Sequence, residues 1–132
     1  MAVRYRKTIQ VQANDLDALN HVNNVRYLEW VQDISKEHWE HQVPEEARSS
    51  MIWVVRNHNI TYFESAQLND EVLLETEVSQ WKGPISFREV TMKNNKTGDL
   101  LVKASTQWCA LDPQTFRPIR VPRELQELFM DH

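Results

Sequence analysis

The chain has 132 residues, a formal net charge of −4 and a pI near 5.7. This length makes one domain, residues 1–132, which can bury about two-thirds of the surface its unfolded form exposes. No run of Lys or Arg exceeds two, and with an acidic balance this argues against nucleic acid as a partner. The single cysteine, Cys109, excludes an internal disulfide and fits a reducing compartment. The opening MAVRYRKTIQVQ has no apolar signal-peptide core, and no apolar run approaches a membrane span. A cytoplasmic protein without a membrane partner is therefore expected.

In chain order, residues 4–13 alternate as a strand with Tyr5, Ile9, Val11 and Ala13 on one side; Lys7 interrupts that side. Residues 14–22 are dense in Asp and Asn, the chemistry of turns and caps. Asn23 or Asn24 then caps a helix over about residues 24–40, with Tyr27, Leu28, Val31, Ile34 and His38 on one face and Trp30 beside them. Pro44 closes the segment, and residues 45–50 are a loop or a frayed turn.

From Met51 the chain reads as strands. Residues 51–63 are rich in β-branched and aromatic types, and 64–70 connect them to the next strand. Over 71–79, Val72, Leu74, Thr76 and Val78 face one way. Lys82-Gly83-Pro84 makes a turn. In 85–93, Ile85 and Phe87 share a face that Glu89 breaks, which predicts a bulge near Arg88. Residues 94–99 form a hairpin connection. Over 100–111, Leu100, Val102, Ala104, Thr106, Trp108 and Ala110 take the apolar side. The tail VPRELQELFMDH reads as a short amphipathic helix starting at Pro122.

The last four strands, joined by short connections, are read as antiparallel neighbours. One helix cannot cover both faces of a five-stranded sheet. A curved antiparallel sheet wrapped around that helix solves the problem, and its other face is polar (Glu71, Glu75, Glu77, Lys103, Ser105, Gln107). The fold class is α+β. Sheet edges left open in a monomer favour pairing across a two-fold axis.

The chemistry concentrates in the loop before the helix, where Asp15, Asp17 and His21 lie among Asn20, Asn23 and Asn24. A helix start offers free N–H groups and partial positive charge, so acids and a histidine beside it suit attack on a polarised carbonyl. Asp17 would attack a carbonyl or deprotonate a water. Its commoner role on residue chemistry alone is an Asx-turn. Asp15 is read as a turn former. His21 either assists Asp17 or satisfies loop backbone groups. Asn23 and Asn24 cap the helix, and Tyr27 and Trp30 at this spacing are more often core than substrate contacts. His38 and His41, with Glu37 nearby, would be half a metal site; the other histidines, His58 and His132, do not complete it, so no metal is expected. Cys109 lies opposite the apolar face with no neighbouring His, which argues against a nucleophile.

Asp15-Leu16-Asp17, then His21-Val22-Asn23-Asn24 and Tyr27-Leu28-Glu29-Trp30, resemble the hotdog-fold acyl-CoA thioesterases of the 4-hydroxybenzoyl-CoA thioesterase type. The run HVNNVRYLEW is also similar to plant acyl-ACP thioesterases. The order of elements read above is the hotdog order, so the resemblance covers nearly the whole chain.

The resemblance implies hydrolysis of acyl-CoA to free acid and CoA, with Asp17 as the catalytic carboxylate; His21 is taken with it as the assisting catalytic candidate. It implies an oxyanion site at a backbone N–H near Asn24, no cofactor, and a homodimer or homotetramer with active sites at subunit interfaces. Asn20, Asn24, Tyr27 and Arg88 are the substrate-binding candidates. Arg88 enters with Arg56, Lys82, Lys93, Lys96 and Lys103 as a cation available to the CoA phosphates. The plant pattern has a catalytic Asn two residues before the His; here that position is Leu19, with Asn20 adjacent. In ITYFESAQLNDE, Ser65 replaces a common Pro and Glu64 a small residue. The alternatives are an acyl-ACP thioesterase or an acyl-binding hotdog module without turnover. A hydratase on a related hotdog would need a second His/Asp motif that the chain lacks.

Overall fold

The structure is a computed structural model, and it describes residues 2–131. Its elements are β1 (Tyr5–Gln10), a 3-10 turn (Ala13–Asp15), α1 (Asn24–Gln42), α2 (Glu45–Arg48), β2 (Ile52–Tyr62), β3 (Glu71–Lys82), β4 (Ile85–Asn94), β5 (Leu100–Leu111) and α3 (Arg123–Glu127). The strands form one antiparallel sheet in the order β1-β3-β4-β5-β2. The long helix packs against it, so the expected hotdog architecture is present. Among the described residues no helix is long and apolar enough to cross a membrane.

The helix stays in place because its apolar stripe meets the inward residues of three strands. Tyr27, Trp30, Val31 and Ile34 pack on Val72 and Leu74 of β3, Val90 and Met92 of β4, and Val102 and Ala104 of β5. Each fully buried aliphatic or aromatic side chain contributes about 1.5–3 kcal/mol. Asn23 caps the helix, its Oδ1 accepting the Val25 N–H at 3.1 Å. The helix runs for 19 residues, about 28 Å at 1.5 Å per residue. Lys7, which interrupts the inward side of β1, reaches Glu37 of α1 at 2.6 Å. The irregular residue is thus an ion pair between strand and helix.

Two expectations about the sheet are corrected. First, β2 does not neighbour β3. It pairs with β5 at the far edge, so β4 and β5 separate it from β3. The segment between β2 and β3 is therefore a crossover that passes the start of α1. Adjacency in sequence carries no signal for such a crossing. Second, the inward residues of β4 are Ser86, Arg88, Val90 and Met92, all buried, while Phe87 and Glu89 face the other way. The cause of the misreading is Arg88 itself, a charged residue at a core position. The bulge lies across from it on β3, where Val78 pairs with Arg88 and Gln80 with Phe87, leaving Ser79 as the extra residue.

The tail closes the C-terminal end of α1. After α3, Phe129 is fully buried against Trp39, His38 and Trp81. The Val3 N–H donates to the Phe129 carbonyl at 2.9 Å, tying the two ends of the chain together.

Candidate active site

The loop before α1 folds back on itself. An isolated bridge joins Leu16 to Val22. Inside it, the Asp17 N–H donates to the His21 carbonyl at 2.7 Å and the Asn20 N–H to the Asp17 carbonyl at 3.1 Å. Asn20 sits at φ 61°, a left-handed conformation that Asn tolerates better than most residues. The Asp17 Oδ1 accepts the Leu19 N–H at 2.8 Å and the His21 N–H at 3.2 Å. These are the Asx-turn bonds of its ordinary role. They occupy one oxygen. Oδ2 makes no hydrogen bond among the described residues, so a structural and a chemical role are compatible in the same side chain.

Asp15 is the structural partner. It is buried, its Oδ2 accepts the Gln12 N–H at 2.8 Å, and its Oδ1 lies 2.8 Å from the Arg26 Nε. Its carbonyl accepts the Asn23 N–H at 2.9 Å. The acid thus fixes the approach of the loop to the helix, as its turn-forming reading implies. In the first turn of α1, Val25 is capped by the Asn23 side chain and the Arg26 N–H reaches the Asn23 carbonyl at 2.8 Å. The Asn24 N–H has no acceptor among the described residues. It is a free donor at the positive end of a long helix.

The crossover supplies the wall of this loop. Val22 N–H donates to the Ala66 carbonyl at 3.0 Å, and the Ala66 N–H donates to the Tyr27 Oη at 2.9 Å. Tyr27 is almost fully buried, and burial pushes its phenol up from the usual tyrosine range. The geometry makes it a core residue that anchors the crossover, the commoner role expected at this spacing, whereas the sequence also offered it as a substrate-binding candidate. His21 is half-buried, and its imidazole makes no hydrogen bond among the described residues. Asn20 and Asn24 are exposed on the same loop and helix start, as are Leu19 and Val25, and Phe63 and Leu68 are exposed on the crossover. Asp17, His21, Asn20 and Asn24 therefore gather at one end of α1.

Arg88 does not join them. It is not a solvated cation: it is 5% exposed, on the inner face of β4. Its Nη1 donates to the His38 Nδ1 at 2.9 Å and to the Thr76 Oγ1 at 3.1 Å. Burial pulls the guanidinium down to about 9. His38 is pulled down to about 3, first by burial and then by the Arg88 charge and His41. His38 is thus a neutral acceptor, with its ring stacked on Tyr5. Half of the notional metal pair is already engaged by an arginine, and among the described residues no three His, Cys, Asp or Glu side chains gather as metal ligands. His132 lies outside the described residues.

Reading β4 backwards from Val90 and Met92 places position 88 on the inner face. His38 falls four residues after Ile34 on the apolar face of α1. Those two spacings were the available signal for this buried pair.

A five-stranded antiparallel sheet around one long helix defines the hotdog fold, and the chain's relatives make it a thioester hydrolase. The chain belongs to the acyl-ACP thioesterase N-terminal domain family, whose model matches residues 2–129. It is 26% identical to the long-chain acyl-CoA thioesterase FadM of Escherichia coli K12 over 121 residues, 90% of this chain and 92% of that protein. It is 29% identical to the acyl-CoA thioesterase YbgC of Haemophilus influenzae Rd over 128 residues, 92% of this chain and 90% of that protein. The crystal structure of a 4-hydroxybenzoyl-CoA thioesterase mutant in complex with 4-hydroxybenzoyl-CoA shares the fold, with a TM-score of 0.87 and 17% identity over 96% of this chain and 99% of that one.

Proposed function

We propose that this enzyme hydrolyses acyl-CoA thioesters to a free carboxylic acid and CoA, with Asp17 as the acting carboxylate. One observation carries the assignment of Asp17. Its Oδ1 is held by two backbone N–H groups while Oδ2 is left unbonded, at the helix start where the Asn24 N–H is also free. The thioester carbonyl oxygen accepts from Asn24 N–H, which draws charge from the carbonyl carbon. Asp17 then takes a proton from water as that water attacks, or attacks the carbon itself to give an anhydride that water opens. In either route the tetrahedral oxyanion collapses and the C–S bond breaks. CoA leaves as a thiolate, which needs no strong acid. His21 orients the water or Asp17, and Asn20 contacts substrate at the rim. Carboxylate, water and backbone donor complete the chemistry without metal or cofactor.

The acyl group occupies a cleft beside the C-terminal half of α1, bordered by Ser35, Trp39, Trp53 and Trp108. Asn24 and Trp39 are fifteen positions apart on the helix, which is about 22 Å of rise. One chain therefore offers its carboxylate and its cleft at opposite ends of α1. A two-fold axis at the edge strand β2 would reverse one helix against the other and bring the cleft to Asp17 of the partner subunit. Support comes from the edge itself: among the described residues β2 pairs only with β5, and it has no Pro and exposes Ile52, Val54 and Tyr62. The enzyme is a homodimer or a dimer of such dimers, and acts in the cytoplasm.

The test is free-thiol release from short, long and aromatic acyl-CoAs by wild type and Asp17→Asn. Turnover by wild type that collapses in the variant is expected. The family model that matches is that of acyl-ACP thioesterases, so the second reading is a carrier-protein substrate. Release from acyl-ACP with none from any acyl-CoA would establish it. No release from either would leave an acyl-binding module.

A further inference from the structure

The cleft has a volume of about 500 Å³ and lies between α1 and the ends of β2, β3, β4 and β5. That is within the usual size of a small-molecule site, about 300–1,000 Å³. Trp53, Trp81 and Trp108 border it, and Ser86 and Arg88 come from β4. Each of those three indole N–H groups is buried with no hydrogen-bond partner among the described residues. Arg88 uses only Nη1, and both of its acceptors, the His38 imidazole and the Thr76 hydroxyl, are neutral. Among the described residues its Nε and Nη2 make no hydrogen bond, and no carboxylate lies within ion-pair distance of it. The cleft's own acids, Asp33 and Glu40, are on the exposed face of α1, where Lys36 also lies.

A buried guanidinium without a counter-charge is costly to a fold, and an anionic ligand would offset that cost. Planar N–H pairs match the two oxygens of a carboxylate. An aromatic wall with unmet N–H donors suits an apolar chain that ends in an acceptor group. We propose that Arg88 binds a carboxylate at the distal end of the acyl group, so that the preferred substrates are CoA monothioesters of dicarboxylic acids. This rests on the acyl-group cleft of the proposed function and adds its selectivity.

The decisive comparison is adipoyl-CoA against hexanoyl-CoA, which have the same chain length and the same CoA. A charge-assisted pair of this kind implies a kcat/KM ratio of about tenfold or more in favour of adipoyl-CoA. In Arg88→Met that ratio should fall to near one, and in Arg88→Lys it should lie between. Equal use of the two thioesters by wild type would overturn the proposal. So would an Arg88→Met variant that loses both alike with the ratio kept, as would happen if Arg88 held the CoA phosphates or only the fold. Calorimetric titration of wild type with the same two thioesters gives a readout without turnover. If neither is hydrolysed, the proposed function fails by itself. Tighter binding of adipoyl-CoA then still supports the carboxylate site, and equal binding removes it.

Discussion

Asp17 holds His21 through the main chain, not through its imidazole: the carboxylate Oδ1 accepts the His21 N–H at 3.2 Å, and the His21 carbonyl accepts the Asp17 N–H at 2.7 Å. Loop shape and the proposed catalytic role of the carboxylate therefore separate under mutation. Asp17→Asn keeps an acceptor oxygen for Leu19 and His21 but is a poor base and nucleophile. Turnover should fall at least about a hundredfold, the scale of a positioned acid–base group, with little change in Tm. Asp17→Ala should lose the same activity and also about 0.5–2 kcal/mol of stability with the cap-like bonds. Activity retained by the Asn variant would remove Asp17 from the mechanism.

His21 tests the opposite combination. Its imidazole has no bond to lose among the described residues, so His21→Ala should unfold at the wild-type urea midpoint. If the ring orients water or Asp17, kcat should fall by roughly tenfold to a hundredfold. Wild-type kinetics in this variant would make His21 a loop residue only.

Tyr27 anchors the crossover to the helix by a single bond at 2.9 Å from the Ala66 N–H to its hydroxyl. Phe at this position keeps the ring but leaves a buried N–H unmet, at a cost of about 1–3 kcal/mol. Hydrogen exchange at Ala66 should accelerate along with the loss of stability. An unchanged Ala66 exchange rate would show that the crossover is held elsewhere.

The β2 edge makes a prediction about assembly. Sedimentation of wild type should give a dimer or tetramer. Introducing Lys at both Ile52 and Val54 places charge on an apolar edge and should yield a monomer with a native circular dichroism spectrum. On the proposed two-fold arrangement, with the cleft and Asp17 drawn from different subunits, that monomer should also be inactive. A fully active monomer would return the whole site to one chain.

The legible and illegible parts of this fold differ for physical reasons. Val72, Leu74, Thr76 and Val78 alternate cleanly because β3 has a buried and a solvated face, and all four are buried as read. The stripe on α1 was legible from spacing, and the helix extends two residues beyond the expected end. The candidate loop is legible as a cluster of acids and amides, but Asp17 is singled out over Asp15 by a family resemblance, and the hydrogen bonds show that Asp15 is fully engaged. Arg88 was misplaced because alternation is scored on polarity, and a buried arginine inverts the score. The position of β2 beside β5 is a long-range pairing that no local pattern encodes. The cleft depended on both of these, so it could not be read from the sequence.

His38 connects that buried pair to pH. Its imidazole is fully buried between Tyr5 and Phe129, with the Arg88 Nη1 on its Nδ1 and His41 as the other nearby titrating group. Its value in the folded protein is about 3, against 6.5 for an unperturbed histidine. Between those values the unfolded chain binds a proton that the folded chain excludes. Stability from neutral His38 is therefore complete above about pH 6.5 and is lost as pH falls from there toward 3, by at most about 1.4 kcal/mol per pH unit. Gln at position 38 offers a neutral acceptor to Arg88 and does not titrate. The difference in unfolding free energy between wild type and His38→Gln should thus favour wild type at pH 7.5 and shrink at pH 5, as read from urea midpoints. A difference constant between the two pH values would mean that His38 takes up its proton as readily in the folded protein as in the unfolded chain, and that at pH 5 Arg88 does not donate to it.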